Sequence, residues 1–98
     1  MSLTDMYESL TGPLNVGKLL HAYRTTNNLS EEKMEKKLHL SSGFLALLES
    51  GKKKISLEDA IHFAKKLKDD QDFYAEVWLR DFVRSSGLDP DKFIRSLE

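Results

Sequence analysis

The chain has 98 residues, the length of one small domain, and its 40% hydrophobic and 32% charged residues are typical of a globular protein. No apolar run approaches the roughly 18 residues that a membrane-spanning helix needs, and no basic start followed by an apolar block indicates a signal peptide. Because the chain contains no cysteine, disulfides and thiolate metal sites are excluded. We therefore expect a cytoplasmic protein that has no membrane partner.

The formal net charge of −1 is unevenly distributed along the chain. Residues 33–68 carry nine lysines and four acidic residues, whereas residues 69–98 carry four basic and eight acidic residues. On charge alone, the basic middle has two interpretations that remain open. It is either a set of solvated helix faces or a surface that attracts a polyanion.

Helical periodicity dominates the sequence, and no segment alternates as a strand would, so we predict an all-α fold. Ser30, Ser41 and Ser56 are predicted N-caps, and Gly51 is a predicted C-cap. The predicted helices cover, in chain order, residues 4–10, 14–26, 31–38, 41–50, 57–68 and 72–85, followed by a short helix that begins at Pro90.

The helix predicted over residues 72–85 carries more apolar surface than one core-facing stripe needs. We expect the excess to form a homodimer interface. The alternative is that both apolar sides are buried within the monomer, one against the domain and one under the terminal helix. The residues expected in the dimer interface are Phe73, Trp78, Leu79, Phe82 and Val83.

The helices predicted over residues 31–38 and 41–50 are joined by a tight turn, with one helix before them and one after. Several short stretches within and around this helix pair match, in order and spacing, the sequence pattern of a known protein family. They are Val16-Gly17-Lys18, Arg24, Leu29-Ser30, Met34, Leu38-His39-Leu40-Ser41, residues 45–52 and Ile55-Ser56-Leu57-Glu58. Together they resemble the lambda-repressor/Cro (XRE) family of helix-turn-helix transcriptional regulators over about half of the chain.

The resemblance implies a lambda-repressor-like five-helix DNA-binding domain over residues 16–68. Residues 1–15 would then form a short N-terminal helix or arm. Residues 69–98 would form extra C-terminal helices that serve for dimerisation.

In this family the second helix of the pair enters the major groove, while the first crosses the DNA backbone. The resemblance therefore implies that residues 41–50 are the recognition helix and that neighbouring lysines contact phosphates, although a lysine run can also be only a solvated loop. The implied DNA-binding residues are Ser41, Ser42, Gly43, Phe44, Leu47, Lys33, Lys37, Lys52, Lys53 and Lys54.

The resemblance also implies a structural ion pair between Arg24 and Glu49. Glu35 departs from the pattern, because a small residue is usual there.

We expect a dimeric, sequence-specific transcriptional regulator whose partners are double-stranded DNA and a second copy of itself. An enzyme is not expected, because no nucleophile–base pair, metal-ligand set or cofactor motif can be identified. The alternative is a protein-interaction module, such as an antitoxin or a transcription adaptor, that no longer reads DNA. The outer face of residues 41–50 favours this alternative, since it lacks the Arg, Lys, Asn and Gln side chains that contact purines bidentately.

Overall fold

The structure is a computed structural model that describes residues 8, 10 and 12–97. Six helices follow one another in the part of the chain that it describes. They are α1 (Val16–Thr26), α2 (Glu31–Leu38), α3 (Phe44–Glu49), α4 (Leu57–Leu67), α5 (Gln71–Ser85) and α6 (Pro90–Ser96). Of the helix predicted over residues 4–10, only residues 8 and 10 belong to the described part, where both are helical; the remainder lies outside it.

The described residues contain no strand, and the radius of gyration of 13.5 Å is that of a compact chain of this length. The all-α prediction is therefore confirmed. None of the described helices has the length and apolar character that crossing a membrane requires.

Polar side chains begin most of these helices, which explains where the helices start. Ser30 and Ser56, both predicted N-caps, accept hydrogen bonds from the backbone N–H groups of the third residue after each. Asn15, Asp70 and Asp89 cap α1, α5 and α6 in a similar way.

Helix α3 is shorter than the predicted segment 41–50, and Ser41 is not its N-cap. The helix begins at Phe44, and the N-cap is Gly43, which has no side chain to offer. Gly43 has a φ of +84°, a left-handed conformation that glycine adopts without steric cost. Ser41 and Ser42 therefore lie in the turn that precedes α3.

The core lies where α1 to α5 meet. The buried apolar residues of this core are Val16, Leu20, Met34, Leu38, Leu45, Leu48, Ala60, Phe63, Ala64, Leu67, Tyr74 and Val77. Helix α5 packs against both α4 and α6 inside the chain, and Phe82 on the same helix stays exposed.

The five residues expected in a dimer interface do not share one exposed surface. Val83 is only 3% exposed, which removes it from any contact with a partner. Phe73 and Trp78 are half-buried against the core, and Leu79 is half-buried. Phe82 is 56% exposed and stacks on Trp78 with ring centroids 5.2 Å apart.

A buried ion-pair network that the sequence analysis did not predict joins α5 to α6 and to the N-terminal segment. Arg80 is 4% exposed, and its Nε donates to Oε1 of Glu8 at 2.7 Å while its Nη2 donates to Oδ1 of Asp91 at 2.8 Å. Arg84 also donates to Glu8, as does the backbone N–H of Leu14. Burial raises the pKa of Glu8, but the Leu14 N–H and the Arg80 guanidinium outweigh burial and hold that pKa below its usual value.

Candidate nucleic-acid interface

Helix α3 is anchored by two buried leucines, Leu45 and Leu48. Its other side is open to solvent: Ala46 and Leu47 are exposed, while Phe44 is half-buried against the core. With Ser41, Ser42 and Gly43 in the preceding turn, the exposed residues form a surface of small, hydroxylic and apolar groups. We call this surface the α3 face, and its members are Ser41, Ser42, Gly43, Ala46, Leu47 and Ser50.

The N-terminus of α3 is capped from another helix. Glu35 on α2 is only 6% exposed, and its Oε2 accepts a hydrogen bond from the backbone N–H of Leu45 at 3.2 Å. Because Gly43 offers no side-chain cap, this carboxylate takes over the task and places a negative charge at the positive end of the helix. Glu35 therefore fixes α3 relative to α2.

The C-terminal end of α3 is tied to α1 by Glu49. The Nε of Arg24 donates to Oε2 of Glu49 at 2.8 Å, and its Nη2 donates to Oε1 at 3.0 Å, which makes the pair bidentate. Nδ1 of His21 lies 2.8 Å from the same Oε1. Burial raises the pKa of Glu49, but the hydrogen bonds from Arg24 and His21 outweigh burial and hold that pKa below its usual value.

All of the lysines expected to contact phosphates are exposed, and they lie on two elements that flank α3. Lys33 and Lys37 are on α2, where Nζ of Lys37 lies 5.7 Å from the centroid of the Tyr23 ring. Residues 52–54, which we call the lysine loop, follow α3 directly. Within the loop, Nζ of Lys54 lies 2.9 Å from Oδ2 of Asp81, whereas neither Lys52 nor Lys53 forms an ion pair with a described residue.

The acidic groups within residues 33–54 face away from the solvent side of this surface. Only Glu35 and Glu49 are acidic in this stretch, against six lysines. Glu35 is buried, and Glu49 is held by Arg24 and His21. Glu31 and Glu32, in the first turn of α2, are exposed and offset part of this positive charge, so the excess of lysines on the helix pair comes from residues 33–54.

Backbone and side-chain contacts fix the lysine loop on both sides. The N–H of Lys53 donates to the carbonyl oxygen of Leu47 at 3.1 Å, which ties the loop to α3. The indole Nε1 of Trp78 donates to the carbonyl oxygen of Ile55 at 2.7 Å, which ties the residue directly after the loop to α5. Neither contact was expected from the sequence, since each depends on how distant segments meet.

No group of three or more His, Cys, Asp or Glu side chains that could hold a metal ion occurs among the described residues. A groove of about 590 Å³ lies between α1 and the start of α5, away from α3.

Comparisons of the chain with protein-family models, with curated proteins and with solved structures found no match.

Proposed function

We propose that the protein is a sequence-specific transcriptional regulator that binds double-stranded DNA as a dimer, through a lambda-repressor/Cro-like helix-turn-helix formed by α2 and α3. One observation carries this proposal. The α3 face is flanked along the chain by exposed lysines on α2 and on the lysine loop, while the two acidic residues between Lys33 and Lys54 are buried or paired.

In this function α3 enters the major groove and α2 crosses the phosphate backbone. Ser41 and Ser42 supply hydroxyl groups to base edges or phosphates, and Gly43 allows close backbone approach. The exposed Leu47 side chain is suited to contact the methyl group of thymine. Lys33, Lys37 and the lysine loop bind phosphates and supply most of the affinity.

The chemistry of the α3 face favours a particular mode of specificity. None of its side chains can make the bidentate hydrogen bonds by which Arg, Asn and Gln distinguish purines. Specificity therefore rests on a few hydroxyl and apolar contacts and on the shape and deformability of the DNA.

A dimer places two copies of α3 on half-sites about 10 base pairs apart or at multiples of that spacing. The outer side of α5 is the best candidate for the contact between copies, because Phe82 is exposed and extends the apolar surface of Trp78. Replacing Phe82→Glu would place a charge in this contact, and sedimentation analysis of both proteins measures the effect. A wild-type protein that stays monomeric at high concentration removes the dimer from the proposal.

The DNA-binding part is tested by fluorescence anisotropy with labelled duplexes, both of random sequence and selected from a random pool. The Lys52→Glu/Lys53→Glu variant should lose most of its affinity at low salt. The matched control is Lys65→Glu/Lys92→Glu, which makes the same charge change at exposed lysines on α4 and α6 and should bind nearly as well as wild type. Absence of binding to any duplex, or equal binding by the two variants, contradicts the proposal and favours a protein-interaction module instead.

A further inference from the structure

We infer, on the basis of the proposed DNA-binding function, that α5 limits phosphate binding at the lysine loop, because Asp81 competes with DNA phosphate for Lys54. Oδ2 of Asp81 lies 2.9 Å from Nζ of Lys54. A carboxylate oxygen and a phosphate oxygen are both anionic acceptors for a lysine ammonium group. In the free protein, Asp81 therefore occupies the position that a phosphate oxygen would take.

The geometry of α5 keeps Asp81 within reach of Lys54. Trp78 and Asp81 are three residues apart, so their side chains leave the same side of the helix. The indole of Trp78 holds the carbonyl oxygen of Ile55, and Asp81 holds the ammonium group of Lys54. These two contacts fasten consecutive residues of the chain to one turn of α5, so the backbone at Lys54 stays near Asp81 while Trp78 holds Ile55.

The exposure of the ion pair allows phosphate to displace Asp81. The Lys54 side chain is largely solvent-exposed, and ion pairs in such surroundings are weak. Duplex DNA carries a dense row of phosphates, and it can therefore share or take Lys54 from Asp81. The carboxylate nevertheless remains beside the loop and repels the phosphates that approach it.

Replacing Asp81→Asn tests this competition in the full-length protein, with a labelled random-sequence duplex as the probe. The variant should bind the duplex about two- to five-fold more tightly than wild type at low salt. The slope of log affinity against log salt concentration should also become steeper, by up to about 0.9 for one additional phosphate contact. A purely structural role for Asp81 would lower stability without steepening that slope.

The control is Asp72→Asn, which makes the same charge change at an exposed position in the first turn of α5. It should alter affinity and salt slope less than Asp81→Asn does. The second comparison is Lys54→Ala, which should cost more affinity in the Asp81→Asn background than in wild type. This interaction between the two substitutions is the signature of competition at Lys54.

The outcomes separate this inference from the proposed function. If wild type binds duplex DNA and Asp81→Asn behaves like Asp72→Asn in both affinity and salt slope, competition by Asp81 is overturned while DNA binding stands. An equal effect of Lys54→Ala in both backgrounds overturns it as well. If wild type binds no duplex, both the function and the competition are overturned.

Discussion

The carbonyl oxygen of Leu48 lies where a side chain at position 17 would begin. A Cβ atom built on Gly17 would be 1.8 Å from that oxygen and 2.8 Å from the Leu48 carbonyl carbon. The backbones of α1 and α3 therefore meet at a separation that only glycine permits. Because α3 carries the α3 face, the absent side chain of Gly17 sets how that face is presented.

The substitution Gly17→Ala tests this contact, because two physical effects predict opposite changes in the free energy of unfolding. Helix propensity alone predicts that alanine stabilises α1 by about 1 kcal/mol. The clash with the Leu48 backbone predicts a loss of about 2–3 kcal/mol, since backbone atoms cannot move aside as a flexible side chain can. We expect the clash to dominate in urea unfolding. A stabilised Gly17→Ala variant would contradict the close approach, and Ala22→Gly, at an exposed position of α1, provides the ordinary cost of glycine in that helix.

Glu35 provides a second test of how α3 is held. Replacing Glu35→Ala leaves the Leu45 N–H without its acceptor, and we expect a loss of about 1–3 kcal/mol in the free energy of unfolding. Glu35→Gln keeps an acceptor oxygen and should lose less. Glu32→Ala, an exposed position on the same helix, should stay within about 0.5 kcal/mol of wild type. Equal stability of the alanine and glutamine variants at position 35 would exclude the capping role.

The fold could be predicted from the sequence where local chemistry determines it. Ser30 and Ser56 begin helices because a hydroxyl oxygen accepts a bond within its own turn. The family resemblance of the central segment implied the pair of Arg24 and Glu49, whose side chains are hydrogen-bonded in the structure. The prediction that Ser41 is an N-cap was wrong. Serine is a preferred capping residue, but the left-handed backbone of Gly43 makes the helix begin only at Phe44.

The contacts that orient the candidate site could not be predicted in this way. Glu35 and Leu45 are ten residues apart, and Glu8 and Arg80 are 72 residues apart. Helical periodicity places Arg80 on an amphipathic helix, but it does not predict which carboxylate binds the Arg80 side chain. Such pairs exist only after the helices have packed, so their partners carry no signal in the local sequence.

The ion pair between Arg24 and Glu49 should contribute more than the surface pairs of the chain. A double-mutant cycle with Arg24→Ala and Glu49→Ala should give a coupling of about 1–3 kcal/mol, because the pair is bidentate and shielded from solvent. The same cycle on Lys36 and Glu32, which are exposed and 3.7 Å apart, should give about 0.5 kcal/mol or less. Equal coupling in the two cycles would show that shielding adds nothing.

Stability should fall in acid because of Glu8 and Glu49. The pKa of each carboxyl is lower in the folded protein than the ordinary glutamate value of 4.5. The unfolded chain therefore binds more protons in this range, so the stabilisation is fully present above the unfolded pKa and disappears as pH falls through the folded one. Urea unfolding from pH 7 to pH 3 measures the trend. Glu49→Gln should be less stable than wild type at pH 7 and should approach it at pH 3, and Glu58→Gln, at an exposed position, is the control for the loss of a surface carboxyl group.

The turn between α2 and α3 contains His39, whose replacement by glycine should stabilise the protein. His39 caps α2 with a φ of 57° and a ψ of 42°, a left-handed conformation that is strained for a side chain with a Cβ atom. The substitution His39→Gly should therefore raise the free energy of unfolding by about 1 kcal/mol. The same change at His62, inside α4, should instead cost about 0.5 kcal/mol, because glycine is a poorer helix former than histidine. If both substitutions destabilise the protein, the His39 backbone is not the source of strain. If His39→Gly stabilises the protein and also weakens duplex binding, the imidazole itself contributes to the DNA contact.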